Sequence, residues 1–204
     1  MRRETGWMIE RYPQTVAGAK EPVPDLRNGI VRAAMQLALD YGLDGVNIDE
    51  VSAQTGVSPA KVRQSFGSHD GLMLALLDVV LARTLDAERD LRVPGTGRKQ
   101  LGEMVAAEME GLRDQAPVVE LMFEFYFARR DELYRARIRE ALATYRAAFE
   151  AALEGVPMRR GVDASVMSSI VIAFLQGAAV QAIRDPENFH PSEAIAAMRS
   201  MLQS

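Results

Sequence analysis

The sequence predicts an all-α protein of about nine helices, and two observations carry this prediction. From about residue 25 onward, apolar residues recur at helical spacing, with few runs of β-branched residues. Glycine and proline then divide the chain into segments of helix length. Because 48% of the residues are hydrophobic, these helices can bury a real core. We expect a three-helix unit over residues 25–70 and a larger helical domain over residues 71–204.

The first two helices have clear start and stop signals. A helix over about 25–42 ends at Gly42, which can serve as a stop residue. The second helix opens at Asn47 with Glu50 three residues later, a pair that resembles a capping box. Gly56 ends that helix and suits a tight turn, because glycine accepts positive φ without a Cβ clash.

The third and fourth helices are predicted from their first residues. Ser58 offers a side-chain oxygen as an N-cap, and Pro59 follows at the one helical position that tolerates proline. Ser68 caps a fourth helix, which we expect to run to about Leu91.

The pattern in the remainder of the chain also predicts helices separated by loops. Residues 1–24 form a predicted flexible extension punctuated by prolines, and residues 94–97 form the clearest internal break. A second loop covers residues 155–161. The helices expected after the break are at about 98–113, 116–130, 131–154, 163–184 and 191–203.

Two short helices joined through Gly56 and preceded by a longer one form a helix-turn-helix pattern. On the third helix Val57, Val62 and Phe66 would face inward. Small and cationic side chains would then face outward, where they can approach base edges or phosphates. These outward residues are Ser58, Ala60, Lys61, Arg63 and Gln64. Since three-helix units also occur in proteins that bind no DNA, the pattern alone does not establish DNA binding.

Three segments, taken in order, resemble the DNA-binding signature of the TetR family of transcriptional regulators. They begin at Ile30, Asn47 and Phe66 and read IVRAAMQL, NIDEVSAQTGVSPAKV and FGSHDGL, matching without a gap over about 45 residues. The resemblance implies a regulator, most often a repressor that a small molecule releases from its double-stranded DNA operator. The implied DNA-binding residues are Asn47, Ser58, Pro59, Ala60, Lys61, Arg63, Gln64 and His69.

The resemblance also implies how the second domain is organised. In that family the last two helices build a four-helix homodimer interface, and the preceding helices enclose a pocket for a small molecule. A dimer would present two recognition helices about one DNA turn apart, so the operator would be pseudo-palindromic.

This sequence departs from the family pattern at three positions. The family usually has tyrosine at Arg63, lysine at His69 and alanine at Ser52. Arg63 can still contact phosphate with its permanent charge. A histidine is mostly neutral above pH ~6.5, so His69 either makes a weak phosphate contact or merely begins the helix. We hypothesise that DNA affinity rises as pH falls from about 8 to 6. A His69→Ala protein with unchanged pH dependence would contradict this.

The charge balance weakens the DNA-binding interpretation and keeps an alternative open. Residues 25–70 contain four cations and six anions, and the whole chain has a net charge of −4. Arg2, Arg3, Arg11 and Lys20 in the extension either follow the adjacent minor groove or belong to a solvated tail. The alternative function is a TetR-like ligand-binding dimer without sequence-specific DNA binding.

The second domain concentrates methionine and aromatic residues, which suit an adaptable, largely apolar ligand site. The alternative for each residue is an ordinary packed core. The predicted ligand-binding residues are Met104, Met122, Phe123, Tyr126, Tyr145, Phe149, Met167 and Phe174. The candidate polar anchors are Glu120, Glu124, Arg129 and Gln176. The two glutamates would suit a cationic ligand, or they form a solvated face.

The helix at about 163–184 contains no charged residue between Asp163 and Arg184. Its length raises the question of a transmembrane span. Serine and glutamine residues interrupt it, however, and small residues such as Gly177 allow close helix approach. We therefore expect burial against the same helix of a second copy rather than in a membrane.

Composition disfavours several other classes of function. The chain has no cysteine and only two histidines, His69 and His190, so we expect no disulfide, no metal site and no cofactor. No nucleophile–base set or phosphate-binding glycine loop appears, which disfavours an enzyme. With no secretory signal visible, we expect a cytoplasmic protein.

Overall fold

The computed structural model describes residues 23–85, 97–128, 131–156 and 162–203, and the regular elements in these ranges are all helical. They comprise eight α-helices and one short 3₁₀ turn. In chain order they are α1 (Val23–Tyr41), a 3₁₀ turn (Leu43–Gly45), α2 (Ile48–Thr55), α3 (Pro59–Phe66), α4 (His69–Thr84), α5 (Gly97–Ala128), α6 (Glu132–Ala152), α7 (Ala164–Arg184) and α8 (Pro191–Gln203). The all-α fold class is confirmed.

The predicted helix signals act as expected in the N-terminal unit. Asn47 accepts a hydrogen bond from the Glu50 backbone N–H at 2.9 Å and so caps α2. Ser68 accepts one from the Gly71 N–H at 3.1 Å and caps α4. Gly56 ends α2 with φ of +70°, a left-handed conformation that favours glycine.

Two predicted boundaries were wrong. Helix α4 ends at Thr84 rather than near Leu91, and residues 86–96, which include most of the expected break, lie outside the described residues. The helices predicted at 98–113 and 116–130 are one continuous helix, α5, which contains Pro117. Proline removes one backbone hydrogen bond and usually breaks a helix. Here Met109 and Val118, on either side, are both buried in the core, and their packing holds the helix continuous.

The predicted extension lies outside the described residues, apart from Val23 and Pro24, which begin α1.

The apolar core has two parts, and both include α5. The first contains residues of α1 to α4 together with Val118, Met122 and Phe125 from the second half of α5. The second contains Leu101 and Met104 from the first half of α5, with apolar residues of α6, α7 and α8. Helix α5 therefore joins the N-terminal unit to the rest of the protein.

Candidate DNA-binding surface and sensor core

Helix α3 is anchored by two side chains and leaves its other face in solvent. Val62 is fully buried and Phe66 is 9% exposed, and both pack into the first core. The Ser58 hydroxyl accepts a hydrogen bond from the Lys61 N–H at 3.4 Å, and Pro59 occupies the first turn. These contacts fix the axis of α3, so the exposed side chains keep a defined direction.

The structure brings the predicted DNA-binding residues of α3 together on one exposed face. Ala60, Lys61, Arg63 and Gln64 are exposed, and so is Ser58 just before the helix, while Pro59 is half-buried. Asn47 is also exposed, although its side-chain oxygen is already used as the α2 cap. This surface combines a small residue, two cations and an amide, and it can enter a major groove of DNA.

Arg27 is a residue that the sequence reasoning missed. Its guanidinium lies 4.2 Å from the centroid of the Phe66 ring and donates a hydrogen bond to the Ser65 carbonyl. Arg27 on α1 therefore holds the end of α3. The partners are 38 residues apart in sequence, and no local pattern links them.

His69 is half-buried at the start of α4, and its Nε2 atom lies 2.7 Å from the Val46 carbonyl oxygen. A hydrogen bond at this distance ties α4 to the segment between the 3₁₀ turn and α2. One of the two ring nitrogens is thus engaged within the protein.

The α3–α4 junction leaves no room for a side chain at Gly71. A Cβ placed there would lie 1.9 Å from the Phe66 carbonyl oxygen. The backbones of α3 and α4 therefore meet directly. This close contact explains why the FGSHDGL motif has glycine at position 71.

Several acidic residues of the N-terminal unit occupy helix first turns. Asp49 and Glu50 lie in the first turn of α2, and Asp70 lies in the first turn of α4. A carboxylate there interacts favourably with the helix dipole. These charges thus serve helix stability, while the first turn of α3 has no acidic residue.

The eight predicted ligand-binding residues do not form one cluster. Met104, Tyr145 and Phe149 are buried in the second core, and Met167 and Phe174 pack against it. The other three belong to the first core, with Met122 buried and Phe123 and Tyr126 half-buried.

Tyr126 is the polar member of the three in the first core, and its hydroxyl is buried. Among the described residues it has no hydrogen-bond partner. Burial raises the pKa of Tyr126 to about 12; nearby Gln176 on α7 partly opposes this shift without reaching hydrogen-bond geometry. An unpaired buried hydroxyl lowers the free energy of unfolding by about 1–3 kcal/mol, so a hydrogen-bond partner for Tyr126 would stabilise the protein.

Both candidate acidic anchors already have partners. The Glu124 carboxylate accepts a hydrogen bond from the Leu43 N–H at 3.0 Å and thereby caps the 3₁₀ turn. Gly42, which precedes that turn, has φ of +73° and provides no side-chain cap. Glu120 pairs with Arg184 of α7 at 3.4 Å. Of the other two candidate anchors, Gln176 lies near Tyr126 and Arg129 lies outside the described residues.

Helix α4 is tied to α6 by two polar contacts. Arg137 contacts Asp78 through two nitrogens, at 2.6 and 3.2 Å, and this carboxylate raises the arginine pKa. The Tyr134 hydroxyl donates to Asp70 at 3.3 Å. The helix that follows α3 is thus connected to the larger domain.

Two surface clefts flank α4. One, of about 190 Å³, lies between α1 and α4, and Arg27, Arg32 and Arg83 are among its lining residues. The other, of about 270 Å³, lies between α4 and α6. None of the eight predicted ligand-binding residues lines either cleft.

Helix α7 exposes a regular apolar stripe. Val166, Ile170 and Val180 are 43%, 50% and 43% exposed, and Ala173 and Gly177 are also exposed between them. Their spacing alternates between four and three residues, the spacing of a helix–helix seam.

Length and composition alone would also allow α7 to cross a membrane. Only 33% of its most apolar 18-residue window is buried. Helices α3 and α4, which are bent by 65° at their junction, also have the length and composition of a membrane span when they are taken together.

A helix-turn-helix with an exposed cationic face, joined to a larger helical domain, defines a DNA-binding transcriptional regulator. Comparison with protein families supports this class. Residues 30–76 match the model of bacterial regulatory proteins of the tetR family, and residues 97–204 match the BetI-type transcriptional repressor C-terminal domain. The chain belongs to the TetR family and has a BetI-type C-terminal domain. It is a ligand-responsive transcriptional regulator of that family, whose members dimerise and bind DNA operators.

Two curated relatives are similar over much of the chain. An uncharacterized HTH-type transcriptional regulator of Mycobacterium tuberculosis is 26% identical over 162 residues, covering 74% of this chain and 79% of the relative. The HTH-type transcriptional regulator BetI of Rhizobium meliloti is 27% identical over 128 residues, covering 58% and 63%.

Two solved structures share the fold at low identity. FadR of Bacillus subtilis, in complex with stearoyl-CoA, has a TM-score of 0.69 and 14% identity, with 87% of this chain and 97% of that chain covered. A regulator of Saccharomonospora viridis, in complex with choline, has a TM-score of 0.68 and 16% identity, with 88% and 96% covered.

Proposed function

We propose that this protein is a repressor that binds a pseudo-palindromic operator as a homodimer and leaves it when a small molecule binds. The observation that carries the proposal is the exposed cationic face of α3. In this proposal residues 25–70 are the DNA-binding unit and residues 71–204 bind the ligand and the second copy. Such a regulator works in the cytoplasm.

The recognition surface is made of α3 and the residues at its flanks. Lys61 and Arg63 supply charge for phosphates or guanine edges, and Gln64 can pair with adenine. Ala60 permits close approach to the groove floor. We assign supporting contacts to Asn47, Ser58, Pro59 and His69.

The dimer interface is formed by α7 and α8. The apolar stripe of α7 needs a cover, and a second copy of the same stripe provides one without stranding a charge. On α8 Met201 is 64% exposed and extends the apolar surface. A twofold dimer sets two α3 helices about 34 Å apart on the DNA, which requires a pseudo-palindrome.

The ligand binds in the domain formed by α5 to α8, where the predicted ligand-binding residues lie. The ligands of the two structural neighbours, stearoyl-CoA and choline, differ greatly in size and charge, so likeness of fold does not select between them. The methionine and aromatic side chains here favour a largely apolar molecule.

The ligand acts through α4 and α5. In the dimer the two α3 helices can adopt two spacings. A ligand shifts the equilibrium between these spacings only as far as its affinities for them differ. The Arg137–Asp78 and Tyr134–Asp70 contacts on α4, and the Glu124 cap on α5, connect the ligand-binding domain to the N-terminal unit.

Selection of duplexes from a random-sequence pool tests this function. The proposal predicts an enriched inverted repeat with half-sites about one helical turn apart. The protein with both Lys61 and Arg63 changed to alanine is the matched control and should enrich nothing. Absence of enrichment with the unaltered protein would favour the alternative, a ligand-binding dimer without sequence-specific DNA binding.

A further inference from the structure

Buried polar side chains on α5, α6 and α8 are unequally satisfied. Three buried side-chain atoms of the described residues lack a hydrogen-bond partner: the Tyr126 hydroxyl and the Nε atoms of Arg146 and Arg199. Arg199 still reaches Glu103 through another nitrogen, at 2.7 Å. Tyr126 has only its hydroxyl, and a group of this kind in a native protein calls for an explanation.

Two other aromatic rings of α5 pack beside the Tyr126 ring. The Phe123 ring meets Tyr126 edge-on at 6.0 Å and stacks with Phe127 at 6.3 Å. Phe127 is 74% exposed, so the outer side of this ring group is in contact with solvent. A molecule that entered between these rings would cover apolar surface and bring a hydrogen-bond partner to the buried hydroxyl.

For a cationic ligand, the two candidate carboxylates in the described part of α5 already have partners. Glu124 is committed to the Leu43 N–H, and Glu120 is paired with Arg184. To bind a cation, Glu124 would have to release the 3₁₀ turn, or Glu120 would have to exchange one cation for another. On this part of α5 the group without a partner is the Tyr126 hydroxyl, which is neutral.

We propose that the ligand of this regulator is an uncharged, largely apolar molecule with an oxygen that accepts a hydrogen bond from Tyr126. This inference rests on the proposed function, because it names the ligand class of the same sensor domain. A tyrosine hydroxyl is protonated at neutral pH and can therefore donate a hydrogen bond. Gln176, on the facing helix, supplies an amide that can meet the same oxygen.

The first test uses the ligand-free protein in thermal unfolding. Tyr126→Phe deletes an unpaired buried hydroxyl and should raise the Tm by about 2–4 °C. The matched control is Tyr134→Phe, which deletes a hydroxyl bonded to Asp70 and should lower the Tm. A Tm for Tyr126→Phe that falls as far as that of Tyr134→Phe would overturn the proposal, because the hydroxyl would then be satisfied without ligand.

The second test compares two probes of equal chain length, 1-octanol and octyltrimethylammonium. Octanol should raise the Tm of the unaltered protein, and Tyr126→Phe should bind it about 3- to 10-fold more weakly. The ammonium compound should give a smaller shift, unaffected by the substitution. An octanol shift that is absent, or that is undiminished in Tyr126→Phe, would overturn the inference, as would stronger stabilisation by the ammonium compound.

These tests need no DNA, so their outcome is separable from that of the proposed function. A protein that selects an operator but prefers the ammonium compound keeps its role as a repressor and loses this ligand class. A protein that selects no operator but shows both Tyr126 effects keeps the ligand class and becomes a sensor without DNA binding.

Discussion

The carboxylate of Glu124 on α5 accepts a hydrogen bond from the backbone N–H of Leu43, 81 residues away, at 3.0 Å. Leu43 begins the 3₁₀ turn between α1 and α2 of the DNA-binding unit. The residues on either side of Glu124 are Phe123 and Phe125, and Tyr126 lies two positions further on. One turn of α5 thus holds both the aromatic surface and the cap of the DNA-binding unit.

Loss of this cap should weaken both stability and operator binding. We expect Glu124→Ala to lower the free energy of unfolding by about 1–2 kcal/mol, because an N-terminal donor loses a charged acceptor. Urea unfolding measures the change, and operator titration should show weaker binding. The control Glu120→Ala breaks an exposed ion pair and should cost about 1 kcal/mol or less. Equal effects of the two substitutions would mean that the cap has no special role.

The contact at Gly71 predicts a steric effect on the recognition helix. Gly71→Ala places a Cβ 1.9 Å from the Phe66 carbonyl oxygen, so the α3–α4 junction must shift. We expect a loss of about 3 kcal/mol in the free energy of unfolding. Gly29→Ala is the matched control, since a Cβ there meets nothing within 4 Å. It should stabilise α1 by about 0.5–1 kcal/mol. Similar unfolding midpoints for the two variants would rule out this contact.

The raised pKa of Tyr126 predicts a loss of stability at alkaline pH. Its folded pKa, about 12, exceeds the value near 10 of an unfolded tyrosine. Because burial disfavours the ionised form, this group leaves stability unchanged below pH ~10 and lowers it as pH rises through ~12. Between about pH 9 and 11, Tyr126→Phe should lose about 1 kcal/mol less stability than the unaltered protein. Parallel urea midpoints of the two proteins across this range would contradict the shift.

The apolar stripe of α7 predicts the oligomeric state. Ile170→Glu puts a charge in the centre of the proposed interface, and we expect the dimer to dissociate into monomers. Light scattering coupled to size-exclusion chromatography measures the mass. Leu133→Glu on α6 alters another exposed apolar residue, 61% exposed, and should leave the dimer intact. A dimer that survives Ile170→Glu but not Leu133→Glu would move the interface to α6.

Much of the fold was predictable because its signals are local. The caps at Asn47, Ser58 and Ser68 and the turn at Gly56 depend on residues within a few positions of one another. The inward direction of Val62 and Phe66 follows from helical periodicity alone.

Sequence patterns do not predict the features that depend on tertiary packing. A break between the helices at 98–113 and 116–130 was predicted, but apolar residues on both sides of Pro117 are buried and keep α5 continuous. The Arg27–Phe66 and Glu124–Leu43 contacts join distant parts of the chain. Glu124 in particular was read as a ligand anchor or a solvated residue, since composition does not show which backbone N–H lacks a partner. Tertiary packing also divides the eight predicted ligand-binding residues between two cores, which composition does not show.

The measurement that tests the central claim most directly is a fluorescence-anisotropy titration on the DNA flanking the protein's own coding region, at two salt concentrations. We predict tight, sequence-selective binding whose affinity falls steeply as salt rises. Arg63→Ala should reduce the salt slope by about 1, whereas Arg139→Ala, an exposed arginine of α6, should not change it. If the protein binds no better to this DNA than to a scrambled duplex, and random-sequence selection also enriches nothing, α3 is not a recognition helix.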